Sequence, residues 1–205
     1  MPTPPRTSLP EIVAAGRSIL EADGLGGLTM QRVAEEVGVR SPSLYKRVRS
    51  RGDLIGLIAD SVADDLAATM DAAASDDDPE DDLRAIANAF RAFALAHPNG
   101  YALVFARLPE DARIDPERNA RAAATLLRTA GRLAGPDDAL AAARTVTAWA
   151  HGFVTMELAG AFRLGGDVDR AFAYGVDHLA GALESSGARV PHVNARRSQG
   201  HSEAR

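Results

Sequence analysis

Apolar residues recur at intervals of three and four along most of the chain, and no segment alternates apolar and polar positions with the β-branched enrichment of a strand. The pattern predicts an all-α protein. Ile12, Gly16 and Ile19 share a face with Val13 and Leu20, which defines a first helix over 9–23. Pro10 sits where a missing N–H costs nothing, and Gly24 is the expected stop. Met30, Val33, Ala34 and Val37 mark a second helix behind Thr29, a good N-cap. Gly38 supplies a tight turn. Ser41 is the expected cap of a short third helix with Pro42 at its first position. There Leu44 and Val48 point one way, and Ser43, Lys46 and Arg47 are left for another surface. Ser50 and Asp53 form an S-x-x-D start to a fourth helix. Its Ile55, Ile58, Val62, Leu66 and Met70 keep the helical spacing to about residue 74.

A second unit follows the acidic run SDDDPEDD at 75–82, in which Asp78 is the expected cap of a new helix and Pro79 its first turn. The run lacks the glycine and final glutamate of a calcium loop. Leu83, Ile86, Phe90 and Phe93 stripe this helix, His97-Pro98 breaks it, and Tyr101, Val104 and Phe105 lie on a short successor. Asp115-Pro116 starts a helix bearing Ala123, Leu126, Leu127 and Ala130. Gly135-Pro136-Asp137 ends it and opens a long helix expected to reach Leu164. A last helix carries Phe172, Val176, Leu179 and Leu183. The expected division is a unit over 9–50, a connecting helix over 51–74, a second unit over 78–186 and a mobile polar tail over 187–205, without internal repeats.

The 205 residues are 46% apolar and 25% charged, as expected of a globular chain. There is no cysteine, which excludes disulfides and thiolate chemistry and fits a reducing compartment. No run of 18 apolar residues exists, and Met1 to Pro10 lacks the apolar centre of a secretory signal. The expectation is a cytoplasmic protein without membrane partners. The five histidines form no H-x-x-x-H or H-E-x-x-H pattern, so no metal site is expected. The net charge of −5 argues against a general polyanion binder, but its distribution does not. Residues 1–60 carry eight basic against seven acidic side chains, and 40–52 hold five basic residues and no acid. Exposed charges are screened beyond about 8 Å in physiological salt, so the local patch decides what the surface touches.

Residues 29–48, TMQRVAEEVGVRSPSLYKRV, have the layout of a helix-turn-helix: two short helices joined at Gly38, apolar faces inward, the second presenting polar and cationic residues outward. Leu28-Thr29, Val33-Ala34, Val37-Gly38-Val39, Ser43-Leu44-Tyr45 and Arg51 with Asp53-Leu54 together make residues 9–60 resemble the TetR family of bacterial transcriptional regulators. Val48 and Arg47 stand where that family often has Phe and His, and Arg51 where it often has Lys. The resemblance implies that Thr29 and Tyr45 hold DNA phosphates through hydroxyls, with Lys46 and Arg51 adding charge-assisted contacts. It leaves Arg40, Ser41, Ser43 and Arg47 nearest the base edges. The bland alternative is a basic run that is simply solvated.

One such module binds weakly, and two in a symmetric dimer match a palindromic operator. The long helix of the second unit has a bulky stripe, Val146, Trp149, Phe153 and Met156, and a small-residue stripe, Ala148, Gly152, Thr155 and Ala159. Spacing leaves open whether these stripes and Phe172, Val176, Leu179 and Leu183 are a dimer interface or the protomer's own core. His151-Gly152-Phe153-Val154, with Glu157 to Phe162, Asp167-Val168-Asp169 and Trp149, resembles a TetR-type C-terminal domain named for its Trp, His and Gly. That resemblance implies that the last two long helices form the interface through Ala148, Gly152, Thr155, Ala159, Phe172, Val176, Leu179 and Leu183, and that the preceding helices enclose an effector pocket.

Phe90, Phe93, His97, Tyr101, Phe105, Trp149 and Phe153 are candidates to line such a pocket, for an apolar or aromatic effector. Ordinary core packing is the alternative for each aromatic, and His97 and His151 read equally well as a helix cap and a satisfied core histidine. No nucleophile elbow, phosphate loop or dinucleotide fingerprint occurs, so neither an enzyme nor a cofactor is expected. The expected function is a homodimeric repressor released from DNA by a small molecule. The alternative is a helical small-molecule carrier or adaptor that never binds DNA.

Overall fold

The computed structural model describes residues 7–112 and 116–188. All its elements are helices: α1 Leu9–Gly27, α2 Met30–Glu36, α3 Ser41–Leu44, α4 Arg51–Ala73, α5 Pro79–Ala96, α6 Pro98–Val104, α7 Pro116–Ala134, α8 Ala139–Leu158 and α9 Val168–Gly187. The expected start at Asp115 and the tail from residue 189 onward lie outside the described residues.

Local chemistry sets most boundaries. Ser8 and Glu11 form a reciprocal capping box at α1. Gly24, at φ +66°, bends the chain, but a further helical turn runs on to Gly27. Thr29 caps α2 by accepting from Arg32 N–H. Ser50 caps α4 by accepting from Asp53 N–H, while the Asp53 carboxylate reaches back to Arg49 N–H at 2.9 Å. Asp78 caps α5 and Asp167 caps α9. Other expected boundaries move, and α3 ends at Leu44, short of Val48. Ser41 does not cap α3: Arg40 occupies the N-cap without a side-chain bond, and Ser41 is already helical. Nor does α8 reach Leu164. Gly160 adopts φ +61°, its N–H bonds the Glu157 carbonyl, and Ala161 N–H bonds the Met156 carbonyl, a Schellman closure that ends the helix at Leu158.

Helices α1 to α3 pack around Ile12, Leu28, Val33, Leu44 and Val48, all with no exposed surface. Helix α4 joins the halves: at 23 residues it spans about 34 Å. It packs on α1 and α6 and extends between α5 and α7. Ile55, Ile58, Val62, Leu66 and Met70 are buried along it. Helix α8 packs chiefly on α7, and α9 on α5 and α7.

The acidic linker is a built corner. Asp82 is only 1% exposed. It accepts from Ser75 N–H at 2.8 Å, the Ser75 hydroxyl at 3.0 Å and Asp76 N–H at 3.3 Å, and pairs with Arg132 of α7 at 3.0 Å. Burial pushes this carboxyl up, but the donors and Arg132 outweigh it and hold the pKa below the ordinary value. Its contribution is therefore complete above about pH 4, the unfolded-state value, and is lost as pH falls through the lower folded value. Asp82→Asn is expected to lower stability at pH 7 by about 1–3 kcal/mol. It should also flatten the decline in stability between about pH 4 and pH 2. Urea unfolding across that range checks both, and an unchanged acid slope would refute the assignment.

Candidate DNA-binding surface and ligand cavity

The α2–α3 unit holds its cations outward. Gly38, at φ +69°, makes the turn between the helices. Leu44 and Val48 point into the core, so Ser43, Tyr45, Lys46 and Arg47 face solvent, with Tyr45 53% exposed. Thr29 and Arg40 are also exposed, and Ser41 is half-buried. Arg40, Lys46 and Arg47 make no ion pair among the described residues. Nearby arginines are spent within the fold: Arg32 pairs with Asp23 at 2.6 Å and Arg49 with Asp53 at 3.4 Å. Arg51 is likewise committed. Its Nε donates to the Leu28 carbonyl at 2.7 Å and an Nη to the Leu25 carbonyl at 2.6 Å, fixing the start of α4 to the α1–α2 loop. The Thr29 hydroxyl accepts the cap bond and keeps its own proton for another acceptor.

A cavity of about 630 Å³, open on one side, lies between α4 and the helices of the second unit. Helix α4 contributes Ala63, Leu66 and Met70, α5 contributes Ile86, Ala87 and Phe90, and α7 contributes Leu126 and Leu127. Val104 and Phe105 close it at the end of α6, and α8 forms a wall from Leu140 to His151. Phe105 stacks on His151 at 4.2 Å between ring centroids. Behind them the Tyr101 hydroxyl bonds His151 Nδ1 at 2.7 Å, and burial pushes the phenol's pKa up. The far end of α6 is tied to the first unit: the Glu21 carboxylate of α1 accepts from Asn99 N–H at 3.2 Å and Gly100 N–H at 2.8 Å.

Two family models match these two units. Residues 12–57 match bacterial regulatory proteins of the tetR family, and residues 83–179 match the tetracyclin repressor-like C-terminal domain. An uncharacterised HTH-type transcriptional regulator of Mycobacterium tuberculosis is 30% identical over 88% of this chain and 84% of its own. A class A tetracycline repressor protein of Escherichia coli is 30% identical over 78% of this chain and 73% of its own. The chain belongs to the TetR family.

Within this TetR-family fold the predicted ligand residues divide. Phe90 and Phe105 line the cavity, while Phe93, His97, Tyr101, Trp149 and Phe153 do not. Phe93 packs on His97, whose backbone N–H closes α5 on the Phe93 carbonyl. Tyr101 lies one layer behind, under His151. Trp149 and Phe153 face α9, against Phe172. They occupy the opposite face of α8 because residues 149 and 153 lie well around the helix from 147 and 151.

The predicted interface residues divide too. Ala148, Gly152, Thr155 and Ala159 are exposed, with Ala148 also at the cavity rim, and Leu179 and Leu183 are half-buried. Phe172 and Val176 are 1% and 3% exposed within the protomer. Arg91 of α5 lies over the Phe172 ring at 5.1 Å and pairs with Glu157 and Asp169. Of the polar cavity residues, Arg144 and Thr147 went unassigned in the sequence, and His151 was read as a core histidine. Their spacing of three and four on one α8 stripe was the available signal. A protein of Rhodococcus sp. RHA1 with unknown function has the same fold, at TM-score 0.76 and 27% identity, over 89% of this chain and all of its own. Among the described residues no helix is long and apolar enough to cross a membrane.

Proposed function

We propose that this TetR-family regulator is a homodimeric repressor, released from a palindromic operator when a small molecule occupies the cavity of the second unit. The observation that carries the reading is the exposed set Arg40, Lys46 and Arg47, unpaired among the described residues and connected through α4 to an apolar chamber. In this reading Lys46, Thr29 and Tyr45 grip phosphates, while Arg40, Ser41, Ser43 and Arg47 face base edges. Arg51 acts mainly by holding the loop that carries Thr29.

A ligand in the chamber touches Ala63, Leu66 and Met70 of α4 and Phe105 at the end of α6. Both elements lead back to the first unit, α4 by its packing on α1 and α6 by the Glu21 bonds. A ligand that prefers one placement of these helices changes the separation of the two recognition helices in a dimer. Coupling of about 1–3 kcal/mol changes DNA affinity about 5- to 150-fold.

The exposed stripe Ala148, Gly152, Thr155 and Ala159 is the proposed centre of the interface, since small side chains let helices of two copies approach closely. A Cβ at Gly152 would meet nothing within 4 Å in the protomer. Gly152→Arg is therefore expected to fold, to elute as a monomer in light scattering, and to lose most operator affinity. A variant that stays dimeric would move the interface elsewhere. Selection of bound duplexes from a random pool tests the reading as a whole: the expected product is a palindrome bound with steep salt dependence. A chain with no salt-sensitive DNA binding would be a helical carrier instead.

A further inference from the structure

The polar chemistry of the cavity is one-sided. Among the described residues that line it, only Arg144, Thr147 and His151 carry polar side chains, all on α8, and none is acidic. The Thr147 hydroxyl is spent on the Ala143 carbonyl at 2.9 Å. Tyr101 occupies His151 Nδ1. That leaves only its Nε2 for a ligand. Arg144 is exposed and makes no hydrogen bond or ion pair with any described residue. Leu127 and Leu140, both exposed, also line the cavity.

An unpaired guanidinium against a low-dielectric wall attracts an anion more strongly than the same group in open water. Its planar fork matches a carboxylate. Because Arg144 is exposed, such a pair forms without the full cost of burying two ions. Among the described residues a cationic ligand would meet Arg144 and no acid, and a polyol would find too few partners in so apolar a wall. The chamber is of a size for a small organic molecule. We infer that the effector is an apolar monocarboxylate, its hydrocarbon body among Leu66, Met70, Ile86, Phe90 and Leu126 and its carboxylate on Arg144. This rests on the reading of the cavity as the effector site.

Calorimetry on the full chain with matched probes tests it: decanoic acid and naphthalene-2-carboxylic acid, each beside its primary amide and the corresponding amine. At least one acid is expected to bind about tenfold or more tighter than its amide, and the amines weakest. Arg144→Gln is expected to bring that acid down to its amide, with amide affinity and melting temperature unchanged. An amide or amine binding as tightly as its acid overturns the inference while leaving the cavity as a ligand site, as does an acid preference that survives Arg144→Gln. Failure of every probe overturns both. Acids that bind with the expected pattern but leave the operator complex intact support the ligand class and overturn the release step.

Discussion

Replacing Lys46 and Arg47 together by alanine is expected to cut operator affinity by about 30-fold to more than 10⁴-fold. An arginine that reads a base contributes about 1–3 kcal/mol per half-site, so its loss from both protomers costs about 2–6 kcal/mol. If Lys46 holds a phosphate as proposed, its loss flattens the dependence of log affinity on log salt by about 0.9 per half-site. The two effects separate in the single variants: Lys46→Ala weakens binding to all sequences alike, whereas Arg47→Ala relaxes preference at one operator position. Both side chains are exposed and unpaired among the described residues, so melting temperature should not move. Fluorescence anisotropy with a labelled duplex at several salt concentrations measures the affinity and the slope. An unaltered slope in the double variant would mean that the cations following α3 do not touch DNA.

Much of this surface was readable in the sequence because its determinants are local. Thr29 and Ser50 cap helices through groups three residues away, and Gly38 turns the chain through its own backbone. Such signals survive without knowledge of the tertiary neighbours. Where apolar residues run past a boundary, periodicity misleads. Leu158, Phe162 and Leu164 continue a helical pattern, yet Gly160 stops α8 through backbone bonds that the pattern does not record.

The cavity was harder to read for a different reason. Helical spacing tells which residues share a face, not which neighbour that face meets. Trp149 and Phe153 form a stripe as legible as any, but only the packing of α9 assigns them to Phe172 and not to a ligand. Arg144 reads in the sequence as an ordinary surface charge. Its place beside an apolar chamber depends on α4, α5 and α7, all distant in the chain. Asp82, within an acidic run, reads as dipole decoration, and its burial follows from a loop that folds back over it.

Phe172→Ala is expected to lower the unfolding free energy by about 3–5 kcal/mol, the range for truncating a buried aromatic. The ring is enclosed on three sides. Trp149 stacks on it at 5.2 Å between centroids, Phe153 meets it edge-on at 5.1 Å, and the Arg91 guanidinium covers it at 5.1 Å. Truncation leaves a void among groups that cannot all collapse. It also removes the apolar support beneath an arginine that pairs with Glu157 of α8 and Asp169 of α9. A core role and an interface role for Phe172 predict different outcomes. If the ring is core, urea unfolding shows the same decrement at low and high protein concentration, subunit association is unchanged, and the near-ultraviolet signal of Trp149, the chain's one tryptophan, changes. If the ring lay between subunits, the loss would appear as weaker association, with a midpoint that shifts with concentration relative to wild type. Sedimentation of the variant beside the unfolding curves separates the two, and a purely associative defect would return Phe172 to the dimer face.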